Sequence, residues 1–278
     1  MTNINGAVRM LRNYPQIATW LGSWLEQLRN IGNPDDYRVI IRELEQMEGS
    51  TAQEEHDQNL KRLDYHLCIA STNCKHFDSV FSEKRSLGSY VHEANRVILD
   101  KLAEIRAIVG LYRFGFEDIE FIGTPDFIAS FGEKKLLIEV TRLGASTGKR
   151  SNVWDYELGS IESGIHAGLM VGGGKSDENL PDAIYREVEG KYQQLKNSTK
   201  QADGGIVWIS LGRDYLTAGL YELLGVGTWV KMSTPKRALD VAIQQIRGTG
   251  LYVDLSHVVL SMGRDNNDLV QPELGAHD

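Results

Sequence analysis

The chain has 278 residues, 41% of them hydrophobic and 24% charged, the make-up of a globular protein with room for one large domain or two modest ones. Its net charge of −8 argues against coating nucleic acid through bulk electrostatics, yet leaves room for a nucleic-acid enzyme whose basic residues gather on one face. Two cysteines are too few for a disulfide scaffold, no apolar run approaches the ~20 residues of a bilayer span, and no basic stretch leads into an apolar block at the N-terminus, so a cytoplasmic protein without membrane contact is expected.

From Ala7 to about Phe77 apolar residues recur at helical spacing, as in Ile17, Trp20, Leu21, Trp24, Leu25 and Leu28, and strand signals are sparse. Asn33-Pro34-Asp35 breaks this pattern and caps a further helix through Ile40, Ile41 and Leu44. A helical N-terminal region over residues 1–82 is therefore expected ahead of an α/β domain over 83–278. Inside the first region His66, Cys68, Cys74 and His76 fall within eleven residues. That spacing matches no common zinc pattern; a helical turn with ordinary buried cysteines is preferred, and zinc chemistry ranks last.

A longer helix, about Leu87 to Val109, carries Tyr90, Val97, Ile98, Leu102, Ile105 and Ile108 as its apolar stripe, with Glu93 on the same stripe. After Gly110 the texture turns strand-like, over residues 119–122, 127–131 and 136–141. Residues 144–178 are glycine-rich, and VGGGKS within them fails as a phosphate-binding loop because Leu169 stands where the first glycine is needed. Leu180-Pro181-Asp182 opens a helix to about Lys196, with proline in a tolerated first-turn position. A wholly apolar strand over 204–211, a helical stretch around Leu216 to Leu224, a helix from Ala238 to Arg247 and a last strand over 253–262 complete the chain. This order is that of an α/β layer: a mixed central β-sheet flanked by helices. Lys149, Arg150, Lys196, Lys200, Lys231, Lys236 and Arg237 are the basic residues that could face a polyanion.

The stretch TPDFIASFGEKKLLIEVTRL reads as a hairpin turning at Gly132-Glu133, with glycine first as a two-residue II′ loop prefers. Facing residues then sum to 265, which sets Asp126 opposite Glu139. Like charges at a cross-strand distance of ~4.5–5.5 Å are destabilising unless something neutralises them, and a divalent cation would do so. Alternation puts Glu139 and Thr141 on one face, with Ile138, Val140 and Arg142 on the other. Lys135 shares the face of Glu139, but at four residues, or about 13 Å, it is out of reach. Lys191, at helical spacing with Ile184, Val188 and Leu195, projects from a packed helix face and is the cation best placed to reach the acids.

Pro125-Asp126, a gap of twelve residues, then Glu139-x-Thr141, preceded by a helix carrying Glu93, resembles the PD-(D/E)xK, restriction-endonuclease-like nuclease superfamily. The resemblance spans about residues 87–262 and includes the helix, three strands, helix, strand order. It implies a restriction-endonuclease-like fold, with Asp126, Glu139 and the Val140 carbonyl holding Mg²⁺, or Mn²⁺ in its place, and Glu93 assisting at the metal or its water. Thr141 departs from the pattern by occupying the lysine position, where a hydroxyl cannot supply positive charge. Some members move that lysine to the helix after the third strand, and Lys191-x-x-Gln194-Leu195 resembles that arrangement; Lys191 would be catalytic, with Gln194 and Thr141 as substrate contacts. The implied activity is Mg²⁺-dependent phosphodiester hydrolysis, as in a restriction or defence endonuclease, with DNA ahead of RNA as partner and a homodimer able to cut both strands. The rival reading, motivated by Thr141 and the acidic charge, is an inactive nuclease-fold module that binds nucleic acid or assembles complexes.

Overall fold

The computed structural model describes residues 13–20, 22, 53–82, 91–143, 180–211 and 235–262. Its elements are α1 (Gln53–Asn73), β1 (Cys74–Lys75), α2 (Phe77–Ser82), α3 (Val91–Arg113), β2 (Glu117–Phe121), β3 (Phe127–Phe131), β4 (Lys134–Leu143), α4 (Leu180–Lys196), β5 (Gly204–Leu211), α5 (Pro235–Thr249) and β6 (Leu255–Met262). The strands form one six-stranded sheet in the order β1-β2-β3-β4-β5-β6. β1 pairs with β2 in parallel, β2, β3 and β4 form an antiparallel meander, and β5 and β6 add in parallel. The fold is α/β with a mixed sheet flanked by helices.

Each sheet face owes its cover to strand alternation. Leu136, Ile138 and Val140 of β4 and Ile206 and Trp208 of β5 share a core with Leu102, Ile105 and Ile108 of α3. Leu137, Val207 and Ile209 point the other way, into a second core with Ile184, Val188 and Leu195 of α4 and Leu239, Ala242 and Ile246 of α5. The stripe read along α4 is thus the one that packs, and it carries Lys191 toward the sheet.

The hairpin has the expected register, from Phe131 opposite Lys134 to Phe127 opposite Ile138, and Gly132 takes the positive φ of 59° that the tight turn needs. The α3 boundary differs from expectation. Gly110 does not end the helix, which continues to Arg113. A Cβ at Gly110 would overlap Cη2 of the fully buried Trp208 and lie 2.7 Å from its Cζ2, so this glycine is there to admit the indole. The stop is Gly115, with φ 83°: its N–H reaches the Tyr112 carbonyl at 3.0 Å and the Phe116 N–H reaches Leu111 at 3.0 Å, the crossed pair of bonds of a Schellman cap.

The described part of the N-terminal region is helical with one exception, the two-residue β1, which too little sequence signals. Tyr14, Ile17, Leu63, Leu67, Phe77 and Val80 share the α3 core. Asp64 accepts from the Gln16 and Ile17 amides at 2.7 and 2.9 Å, satisfying first-turn donors of the helical residues 15–20 that have no partner within the helix. The helix expected through Ile40, the glycine-rich 144–178 and the stretch at Leu216 to Leu224 lie outside the described residues. Among the described residues no helix is long and apolar enough to cross a membrane.

Candidate active site

The ladder between β3 and β4 stops at Phe127 opposite Ile138, while β4 runs on to Leu143 beside β5. Past that point the β3 side of β4 loses its strand partner, and Asp126 takes the strand's place with its side chain. Its Oδ2 accepts from the Val140 N–H at 2.7 Å, and Glu139 Oε2 accepts from the Asp126 N–H at 3.2 Å. The two carboxylates are thus tied to each other's backbone. Since N–H and C=O of one strand residue point to the same edge, the Val140 carbonyl also faces the Asp126 side.

Two like charges in this position call for compensation, and α4 supplies part of it. Lys191 Nζ donates to Glu139 Oε1 at 2.8 Å and to Gln194 Oε1 at 3.2 Å. Glu139 is 4% exposed, so this is a largely dehydrated ion pair in which removal of either partner would strand a buried charge. Gln194 itself is exposed at the site's outer edge. The structure therefore brings together Asp126, Glu139, Lys191 and Gln194 as the sequence suggests.

Thr141 lies one step further along β4 and donates to Glu187 Oε2 at 3.0 Å. Glu187 precedes Lys191 by one helical turn, and that i, i+4 spacing was the signal that could have found it. Arg142, on the opposite face, donates to Asp100 of α3 at 3.2 Å and is committed there.

A second acid missed by sequence reading is Glu104 on α3, close enough to Asp126 to act on its charge. Asp126 is held well above the ordinary carboxylate pKa, first because its carboxyl is withdrawn from water, then because Glu139 and Glu104 repel a further negative charge; the Val140 N–H and Lys191 oppose the shift. Glu104 is buried and takes both of its oxygens to Lys101 Nζ, at 2.9 and 2.8 Å, with the same ammonium 5.5 Å from the Phe121 ring. Glu93 lies eleven residues earlier on α3, which at 1.5 Å per residue is roughly 16 Å along the axis. Its side chain lies outside the described part of the structure.

Whether Mg²⁺ suits these residues follows from the donor set. Asp126, Glu139 and the Val140 carbonyl offer only hard oxygens, and each carboxylate oxygen bound to one N–H keeps a lone pair for a cation. The set fits Mg²⁺ or Mn²⁺ and is poor for softer metals. Among the described residues no group of three or more His, Cys, Asp or Glu is arranged to hold a metal, so a cation here would lean on two carboxylates, a main-chain oxygen and water.

His66, Cys68, Cys74 and His76 are all among the described residues, and they are not gathered into such a group either. Cys68 faces solvent from α1, whereas Cys74 is buried and its thiol is pushed up to about 12, chiefly by burial. A thiol at that value is a poor ligand and a poor nucleophile. Alkylation of the native protein at pH 8 should modify Cys68 and leave Cys74 intact until denaturant is added; native modification of both by mass spectrometry would contradict this burial.

Of the basic residues that could face a polyanion, Lys196 at the C-terminal end of α4 and Lys200 just after it are exposed, and the side chains of Lys149, Arg150, Lys231, Lys236 and Arg237 lie outside the described residues. Compared with protein-family models, with curated proteins and with solved structures, the chain matches none.

Proposed function

We propose that this protein is a Mg²⁺-dependent nuclease of restriction-endonuclease-like fold that hydrolyses phosphodiester bonds, with DNA as the preferred substrate. The observation that supports this most directly is the meeting of Lys191 with Glu139, beside Asp126, at the place where β4 leaves its partner strand. A lysine from a different element, 52 residues away in sequence, thereby stands with the acids although Thr141 holds the motif position.

Bound between the acids, Mg²⁺ would supply Lewis acidity, easing loss of a proton from water and offsetting charge on the leaving oxygen. Asp126 and Glu139 would hold it through oxygens that main-chain N–H groups already fix in place. Lys191 offers donors for the attacking water or a phosphoryl oxygen, and its ammonium offsets the charge that builds on phosphorus. Gln194, bonded to the same ammonium, holds it toward the outer edge where a phosphate can approach. β4, which carries Glu139, and α4, which carries Lys191, are both packed into the cores that cover the sheet.

Incubation of the purified protein with plasmid and with single- and double-stranded oligonucleotides, in Mg²⁺ and in EDTA, tests the reading. Cleavage in Mg²⁺ alone is the expected result. Tight binding of nucleic acid with no cleavage under any of these conditions would instead favour the inactive binding module that Thr141 suggests.

A further inference from the structure

Thr141 stands where the resemblance calls for a cation, yet its hydroxyl is directed into a carboxylate. Its bond to Glu187 and the bond from Lys191 to Glu139 are two rungs between the same two elements. Residues 139 and 141 are about 6.6 Å apart along a strand. Residues 187 and 191 are about 6 Å apart along a helix axis. The rungs therefore match in spacing, and they cross between elements of opposed direction, since the later residue of β4 meets the earlier residue of α4.

Apolar packing shares in setting this register: Leu195 rests against Gly205, and Tyr185 and Tyr192 pack on Tyr252. Those contacts lie toward the β5 and β6 side of the sheet, and over β4 the alignment of α4 is held by the two polar rungs. A single ion pair between Lys191 and Glu139 would leave the helix free to pivot about it, because a lysine stem is long and rotatable. The short Thr141 hydroxyl has no such slack. Turning the helix by one residue, about 100°, would break its bond to Glu187 and carry Lys191 away from the acids.

We infer that Thr141 and Glu187 are a positioning pair, selecting the register of α4 in which Lys191 meets Glu139. A hydroxyl at this position holds the helix that delivers the cation. The effect on turnover rests on the nuclease reading above; the placement of Lys191 does not.

Thr141→Val removes the donor at nearly constant volume, and Thr141→Ser restores it. Two quantities are read: the rate at which an N-hydroxysuccinimide ester acetylates Lys191, followed by peptide mass spectrometry, and steady-state cleavage of plasmid DNA in Mg²⁺. In Thr141→Val, Lys191 is expected to label several-fold faster than in wild type and kcat to fall about 10–100-fold with KM nearly constant, the scale of a displaced catalytic group. Thr141→Ser should return both quantities toward wild type, and Glu187→Gln, which keeps an acceptor oxygen, should stay near it. Should Thr141→Val fail to fold, Glu187→Ala at its half-buried position is read in the same way. A folded variant with a lower melting temperature but unchanged Lys191 labelling and unchanged kcat overturns the inference. A wild type that never cleaves, with Lys191 labelling still accelerated in Thr141→Val, removes the nuclease reading and leaves the positioning pair standing.

Discussion

Asp126→Asn is expected to cut Mg²⁺-dependent cleavage by about 10³-fold or more, the upper range for losing one preorganised charge-stabilising group, while making the protein more stable at neutral pH. The two effects have one cause. Withdrawal from water, Glu139 and Glu104 all raise the Asp126 pKa above its ordinary 3.8, so the folded protein holds this proton more tightly than the unfolded chain does. The group's stabilising contribution is therefore fully present below pH 3.8 and is lost as pH rises from there through the raised folded value. Above that value, in the absence of a cation, folding carries the cost of an ionised carboxylate facing like charges. Asparagine keeps an oxygen for the Val140 N–H and removes the charge. Wild type and variant should melt at similar temperatures near pH 4 in EDTA. At pH 7 the variant should be ahead by about 1 kcal/mol, or roughly 2–4 °C, a typical gain on relieving a strained functional site. Calorimetry at both pH values, with digestion assays alongside, decides it: a less stable Asp126→Asn at pH 7, or one that still cleaves, would sink the assignment of this residue.

The second large effect concerns the cation. Lys191→Met keeps an apolar stem but leaves Glu139, 4% exposed, without its ammonium, and cleavage should fall by about 10²–10³-fold. Adding Thr141→Lys should bring the rate of the double variant back to within about tenfold of wild type, because an ammonium is restored on the face that carries Glu139. Glu187, already 3.0 Å from Thr141 Oγ1, is poised to pair with the new charge and to orient it. Single-turnover cleavage by wild type, the single variant and the double variant separates the cases. A double variant no faster than Lys191→Met would mean that charge at this place is not what the chemistry lacks.

Local signals made much of the fold legible. α4 and β5 run over the residues their patterns indicate, from a proline in the first turn and an unbroken apolar octet respectively. The hairpin register followed from one glycine in a two-residue turn, since a period of two leaves each residue a single facing partner once the turn is fixed. Gly110 misled because a glycine on a helix reads alike whether it ends the helix or makes room for a ring, and Trp208, nearly a hundred positions later, decides which. β1 could not be read, as a strand of two residues exists only through its pairing with β2.

The site divides along the same line. From the sequence alone came the meeting of Asp126 with Glu139, although the strand ladder ends one pair short of them, and the choice of Lys191 as the nearest available cation, because both rest on short-range periodicity: two along a strand, about 3.6 along a helix. The tertiary structure alone decided that Glu104 bears on Asp126 and that Thr141 is bound to Glu187. Those partners lie 22 and 46 residues apart on different elements, and their distances are set by how α3 and α4 pack on opposite faces of one sheet. Periodicity places a side chain on a face; only packing chooses what stands across from it.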